Sequence, residues 1–454
     1  MRRRPTAPLP AGRPTALAVV AVLIAAGAGR AAHAQRSPPP LPPPAAPAFA
    51  EDSTPPEEDP LAAQIRQNEE LAARRRPTVT LNGYVDFGFY AVEGDGSGVR
   101  QDVLHTYPGY PGYAWVFPGD LLAPAINTRG EVANLGDLPG VDRYDPIHSG
   151  APGFIVNELN LRLRASPVPT AIITGSLNFT PRTGGNFALG DMFDVDLAQL
   201  EWLPTESQRT SIFVGKIESV LGIEYRQRKS DQRFGVTPSL IARYTTGTAL
   251  GVKVRSKFGD DDWLVIAAAL TNGSNTTEQF FFYDETARHA WKTGSARLSV
   301  RLPLPFTLEL GASGSYGAQD RTSSDQHRMW FAGIDLQAHV GPVDVLAQWL
   351  TGRAPGDVTE NAYSLDLHGG GYVEVHAMLT SSWGVLGSVG YRSADITLPT
   401  TRAYPSRNWR GTVGVRWMID TWAILKAEYL HNGEYGDVPT IPDDVFTSSL
   451  VLTY

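Results

Sequence analysis

The chain has 454 residues, with 39 Lys and Arg against 47 Asp and Glu, a formal net charge of −8, 45 glycines and no cysteine. The missing cysteine excludes a disulfide scaffold and thiolate chemistry. The acidic balance excludes nucleic-acid binding as the main function. Residues 1–34 hold five arginines and no acid, so the remainder carries 34 basic and 47 acidic residues, a net −13.

Arg2, Arg3, Arg4 and Arg13 precede an apolar run from Ala16 to Gly29, followed by Ala32-His-Ala34. This pattern predicts a secretory signal peptide over 1–34, cut before Gln35. The run is short of the roughly 20 residues a spanning helix needs. Residues 35–60 are proline-rich and predict an extended, disordered spacer. Residues 61–76 (LAAQIRQNEELAARRR) predict one short helix, on the periplasmic side once the chain is exported.

From Thr78 the apolar period becomes two, so residues 77–454 read as a barrel domain. The alternation predicts sixteen strands, at 78–90, 154–165, 170–180, 192–202, 209–216, 249–258, 263–271, 291–302, 306–316, 329–340, 343–351, 362–379, 383–392, 409–418, 422–430 and 446–454. Short connections such as 166–169, 259–262 and 341–342 alternate with long ones such as 93–153, 217–248 and 431–445. Transmembrane barrels have this asymmetry, with short periplasmic turns and longer external loops. The expected fold is therefore all-β, a transmembrane antiparallel barrel in contact with outer-membrane lipid.

Outward aromatics give an independent check, since they mark membrane interfaces. Tyr316, Trp330, Trp349, Tyr391, Trp409 and Tyr429 fall at the external ends of their strands. Phe306, Trp383, Trp417 and Tyr454 fall at the periplasmic ends.

The opposite faces are polar. A sixteen-stranded barrel is wide enough for a water-filled channel, and small ions and solutes are the expected cargo. Arg162, Arg164, Lys253, Arg255, Lys257, Arg297 and Arg301 form a basic inward track, which attracts anions. Residues 217–248 add Arg226, Arg228, Lys229, Arg233 and Arg243, which would narrow the pore and make it positive if that segment turned inward. The bland alternative is that these charges pair across strands and stiffen the wall. A rival function is a structural or receptor barrel plugged by 93–153, with its Tyr107–Tyr113 run.

Catalysis has little support. Asp194 with Asp196, and Asp260 to Asp262, are the only paired acids of interest. The nine His form no H-E-x-x-H pattern and no G-x-S-x-G occurs. No enzyme, metal or cofactor is expected, and an outer-membrane hydrolase is the remote alternative.

Phe213-Val-Gly-Lys216, Gly251-Val-Lys-Val254, the run from Leu264 to Gly273 ending Thr-Asn-Gly, Gly370-Gly-Tyr-Val-Glu374, Thr412-Val-Gly-Val-Arg-Trp417 and Lys426-Ala-Glu-Tyr429 occur in that order. Together they resemble the phosphate-selective porin family, the O and P porins, with Arg416 standing where that family has Asn. The closing strand, Phe446 to Tyr454, resembles the C-terminal strand of outer-membrane barrels. The resemblance implies a porin of a Gram-negative outer membrane, handed over to the barrel-assembly machinery by that strand. It further implies diffusion of solutes with an anion or phosphate preference, and a homotrimer.

Overall fold

The computed structural model describes residues 77–92, 153–179, 193–205, 208–272, 292–318, 328–354, 364–397, 403–435 and 444–454. The segments read as signal peptide, spacer and N-terminal helix lie outside these residues, as does 93–152, the Tyr107–Tyr113 run included.

Sixteen strands follow in chain order: β1 (Thr78–Val92), β2 (Gly153–Val168), β3 (Ala171–Phe179), β4 (Phe193–Trp202), β5 (Thr210–Glu218), β6 (Thr248–Phe258), β7 (Leu264–Thr271), β8 (Thr293–Leu302), β9 (Thr307–Ala318), β10 (Arg328–Val340), β11 (Val343–Ala354), β12 (Ser364–Met378), β13 (Trp383–Thr397), β14 (Ala403–Asp420), β15 (Ala423–Glu434) and β16 (Val445–Thr453). Each pairs with its sequence neighbour, and β1 pairs antiparallel with β16, so the sheet is a closed barrel. Closure satisfies every backbone edge, the requirement for a sheet in lipid. Among the described residues no helix is long and apolar enough to cross a membrane.

The pleat sends alternate residues to opposite faces. On β10, Trp330 and Ile334 are exposed on the outer wall, while Phe331 and Asp335 are buried inside. The outer wall is apolar, with Val79, Leu81, Leu270 and Ile334 more than half exposed. Its aromatics sit at the two rims. Trp349 stacks on Tyr391 at 5.9 Å, and Tyr391 on Tyr435 at 5.3 Å, at the end carrying the long connections. Trp383 stacks on Trp417 at 5.1 Å at the end carrying the short turns.

Two details differ from strict alternation. A register shift between Ser176 and Leu177, on the β3–β4 ladder, changes the parity of β4, which turns Asp196 and Glu201 to the same inner side. Strands β13, β14 and β15 also run further past the long-loop rim than the predicted 383–392, 409–418 and 422–430, because Thr397 still pairs with Ala403 and Asn408 with Glu434. Beyond the rim the outer face carries charged residues such as Asp395 and Arg407, so the apolar period that marks a strand is lost.

Candidate functional site in the barrel lumen

The connection from β5 to β6 folds into the barrel. Val220, Leu221, Ile223, Phe234, Val236, Leu240, Ile241 and Tyr244 are all buried. The inner face gives them an apolar seat, where Phe331, Leu350, Leu365, Leu367 and Ala394 cluster with Leu221, Ile241 and Tyr244. Each such side chain contributes about 1.5–3 kcal/mol when fully buried. Gly370 on β12 and Gly384 on β13 leave the necessary room. A Cβ at those positions would stand 2.5 Å from Ile241 and 2.6 Å from Phe234.

Polar bonds tie the loop to three sides of the ring. Toward β9 and β11, the Gly222 amide donates to Ser313 Oγ at 2.9 Å and the Ile223 amide to Gln348 Oε1 at 2.9 Å. A single 3-10 turn follows, Glu224–Gln227. Toward β1–β4, Arg228 makes two bonds to Asp196 at 2.5 and 2.7 Å. Lys229 pairs with Glu158 and with Asp196, both at 2.9 Å. Asp231 accepts two bonds from Arg162 at 2.8 Å, and Ser230 Oγ donates to Asp86. Toward β14 and β15, Lys426 Nζ donates to the carbonyls of Ser230, Arg233 and Gly235 at 2.5, 2.7 and 3.0 Å. Glu428 accepts from the amides of Val236 and Thr237 at 2.6 and 2.9 Å, and Arg416 donates to the Arg233 carbonyl at 3.1 Å. A short helix, α1 (Ala242–Thr245), closes the path; there Arg392 of β13 donates to Tyr244 Oη at 2.6 Å.

Arg226 and Arg228 are two residues apart yet reach opposite sides. Arg226 donates to Gln337 on β10 at 2.9 Å and pairs with Glu309 on β9 at 3.5 Å. Arg228 holds Asp196 on β4. The pair forms a chord across the lumen from β4 to β9. One side of the chord holds the loop body. The other is bounded by the inner faces of β5–β8, where Ala267 and Ala269 alternate with the outward Ile266 and Leu270 on β7.

The structure spreads the predicted basic residues over four settings. Arg162, Arg228 and Lys229 are loop-to-wall ion-pair partners. Arg297 is buried between Asp335 at 2.6 Å and Glu309 at 3.1 Å. Lys253 and Arg233 are also buried; Lys253 lies 4.6 Å from the Phe213 ring. Arg255 and Lys257 are partly exposed beside Glu201 at 3.2 Å and Asp262 at 2.7 Å. Arg164, Arg226 and Arg301 are exposed. Arg243 falls in α1, and its side chain is outside the described residues. Of the paired acids weighed for catalysis, Asp196 is engaged with Arg228 and Lys229, Asp262 with Lys257, and Asp260 with Arg209. Among the described residues no His/Cys/Asp/Glu group is arranged to hold a metal.

The alternating period turns Lys426, Glu428 and Arg392 to the inner face, but nothing in it marks them as loop anchors. No spacing signal reveals them, because Lys426 lies 196 residues from Ser230 and Glu428 192 from Val236.

One loop carboxyl titrates in an unusual range. Burial pushes Glu224 from the ordinary 4.5 up to about 7, with Glu374 adding to the effect and the Ser239 bonds and Arg233 opposing it. A raised carboxyl binds its proton more tightly in the folded state. Its contribution is therefore complete below about 4.5 and lost as pH rises to about 7. Glu224→Gln is expected to flatten that loss. Midpoints of heat unfolding at pH 5 and pH 8 check it, and parallel profiles for the two proteins would count against the assignment.

The sequence matches no family model and no curated protein. The fold is similar to that of the outer-membrane channel DcaP of Acinetobacter baumannii, at 10% identity and TM-score 0.52, covering 84% of this chain and 98% of that one. Other similar solved structures are Pseudomonas putida OprB (9% identity, TM-score 0.46, 86% and 97% covered) and Salmonella typhi OmpF in complex with daunomycin (10%, 0.47, 83% and 97%).

Proposed function

We propose that this chain is an outer-membrane porin, a passive diffusion channel for small ions and solutes. Its long connections face outward and its short turns face the periplasm. The observation that carries the reading is the chord from β4 to β9, which confines any passage to the side of β5–β8. The wall around it is closed, polar within and apolar without, as a water-filled barrel in lipid requires.

Ala267→Trp with Ala269→Trp is expected to cut single-channel conductance by half or more in planar bilayers, by filling the passage from the wall opposite the loop. Ile266→Trp, facing outward, is the control and should leave conductance unchanged. A folded wild-type protein that never conducts would favour a plugged barrel instead.

A mild anion preference belongs to the same proposal. It is supported by the exposure of Arg226, Arg255 and Lys257 along the passage, against the more covered Glu201 and Glu309. Arg255→Glu with Lys257→Glu is expected to move the reversal potential toward cations. A wild type already selective for cations would refute the preference without touching the channel reading.

A further inference from the structure

The outer wall carries a row of charges on β11–β14, just beyond the aromatic rim formed by Trp349, Tyr391 and Trp409. Arg353 on β11 faces Asp366 on β12, which faces Asp395 on β13. Asp395 is bonded by His368 of β12 at 2.8 Å and by Arg407 of β14 at 3.2 Å. These groups lie two to four residues past the rim, roughly 7–14 Å along the strands at about 3.4 Å per residue. Amphipathic aromatics sit at the headgroup level of a bilayer. On the reading of this barrel as an outer-membrane porin, the charged row therefore lies within the headgroup layer of the outward leaflet.

The pairing within the row is incomplete. Asp366 and Asp395 are direct cross-strand partners, an arrangement that like charges disfavour, so cations must flank them. Arg407 and His368 both turn to Asp395. Arg353 is 60% exposed, and its nearest approach to Asp366 is 3.9 Å, outside hydrogen-bond range. Its forked donors are left for a second acceptor, and a guanidinium binds phosphate in a bidentate way. The acids hold the two arginines on the outer wall, three strand spacings apart, roughly 14 Å at about 4.8 Å per strand.

We propose that this strip is a docking surface for a phosphate-bearing lipid of the outward leaflet, gripped by Arg353 and Arg407. Full-length protein in detergent is mixed with lipopolysaccharide carrying a phosphorylated lipid A, with its dephosphorylated form, and with inorganic phosphate, and bound lipid is read by native mass spectrometry. Wild type is expected to retain the phosphorylated lipid. Arg353→Ala with Arg407→Ala is expected to lose at least about tenfold in affinity, or about 1.4 kcal/mol. Arg353→Lys with Arg407→Lys should recover part of it. Heat-modifiable migration on a gel confirms that each variant is folded. Equal retention by wild type and the alanine variant, or equal binding of the dephosphorylated lipid, would overturn the proposal. Displacement of the lipid by millimolar inorganic phosphate would also overturn it, since the strip would then be a site for the free anion. Conductance of the alanine variant should equal that of wild type, so a silent wild-type channel would remove the porin reading and leave the lipid measurement standing.

Discussion

Asp196→Ala is expected to unfasten the lumen loop from β4 and to destabilise the closed barrel by about 3–5 kcal/mol. That is the range for removing one partner of a buried ion pair, because the other charge stays buried and uncompensated. Here two cations lose it, since Arg228 and Lys229 both bind Asp196 and both side chains are less than a tenth exposed. The chord across the lumen would lose its β4 anchor. The heat-unfolding midpoint should drop and single-channel traces should become noisier. Asp196→Asn keeps acceptor oxygen and volume, so it should fall between. A variant with wild-type stability and quiet conductance would show that the loop is held from its other sides alone.

Lys426→Met is the second large effect. Lys426 is fully buried and supplies three loop carbonyls. Methionine fills similar space but donates nothing, and an unmet buried acceptor costs about 1–3 kcal/mol. The stretch from Ser230 to Gly235 should then leave the wall of β15. Limited trypsin digestion is the direct check. Arg233, buried in the wild type, is expected to become cleavable in a barrel that still migrates as folded. Continued resistance at Arg233 would mean that Glu428 and Arg416 suffice to hold the segment.

The barrel was legible in the sequence because its signal is local. Each strand between the rims has lipid on one side and water on the other, so residues such as Trp330, Ile334 and Asp335 announce their faces by period alone. The strand ends past the rim at 393–397 and 403–408 were missed because that contrast vanishes there. Pro405, a residue that normally argues against a strand interior, deepens the omission. The inward fold of the β5–β6 connection was legible only as a condition, because its cause is not local. The apolar seat made by Phe331, Leu350, Leu365 and Leu367 reads as an interruption of a polar face, with nothing in its spacing to name Leu221, Ile241 and Tyr244 as occupants. The period turns bases and acids alike to the inner face, but it does not say which of them meet. Arg297 looks unopposed on its own strand, and Asp335 lies 38 residues away, across β9.

Ser230 has a consequence of its own. The junction between β1 and β16 is the single place in the ring where neighbouring strands are not consecutive in the chain. Ser230 Oγ donates to Asp86 on β1, while its carbonyl accepts a hydrogen bond from Lys426 on β15; Asp86 in turn accepts from Ser449 on β16 at 2.6 Å. One loop residue thus staples both sides of the seam from within. The staple cannot form until the first and last strands have met, so docking of the loop is a late, long-range event in folding, of the kind that sets slow rates. Once made, it resists the unzipping of the barrel at the one joint that chain connectivity does not protect.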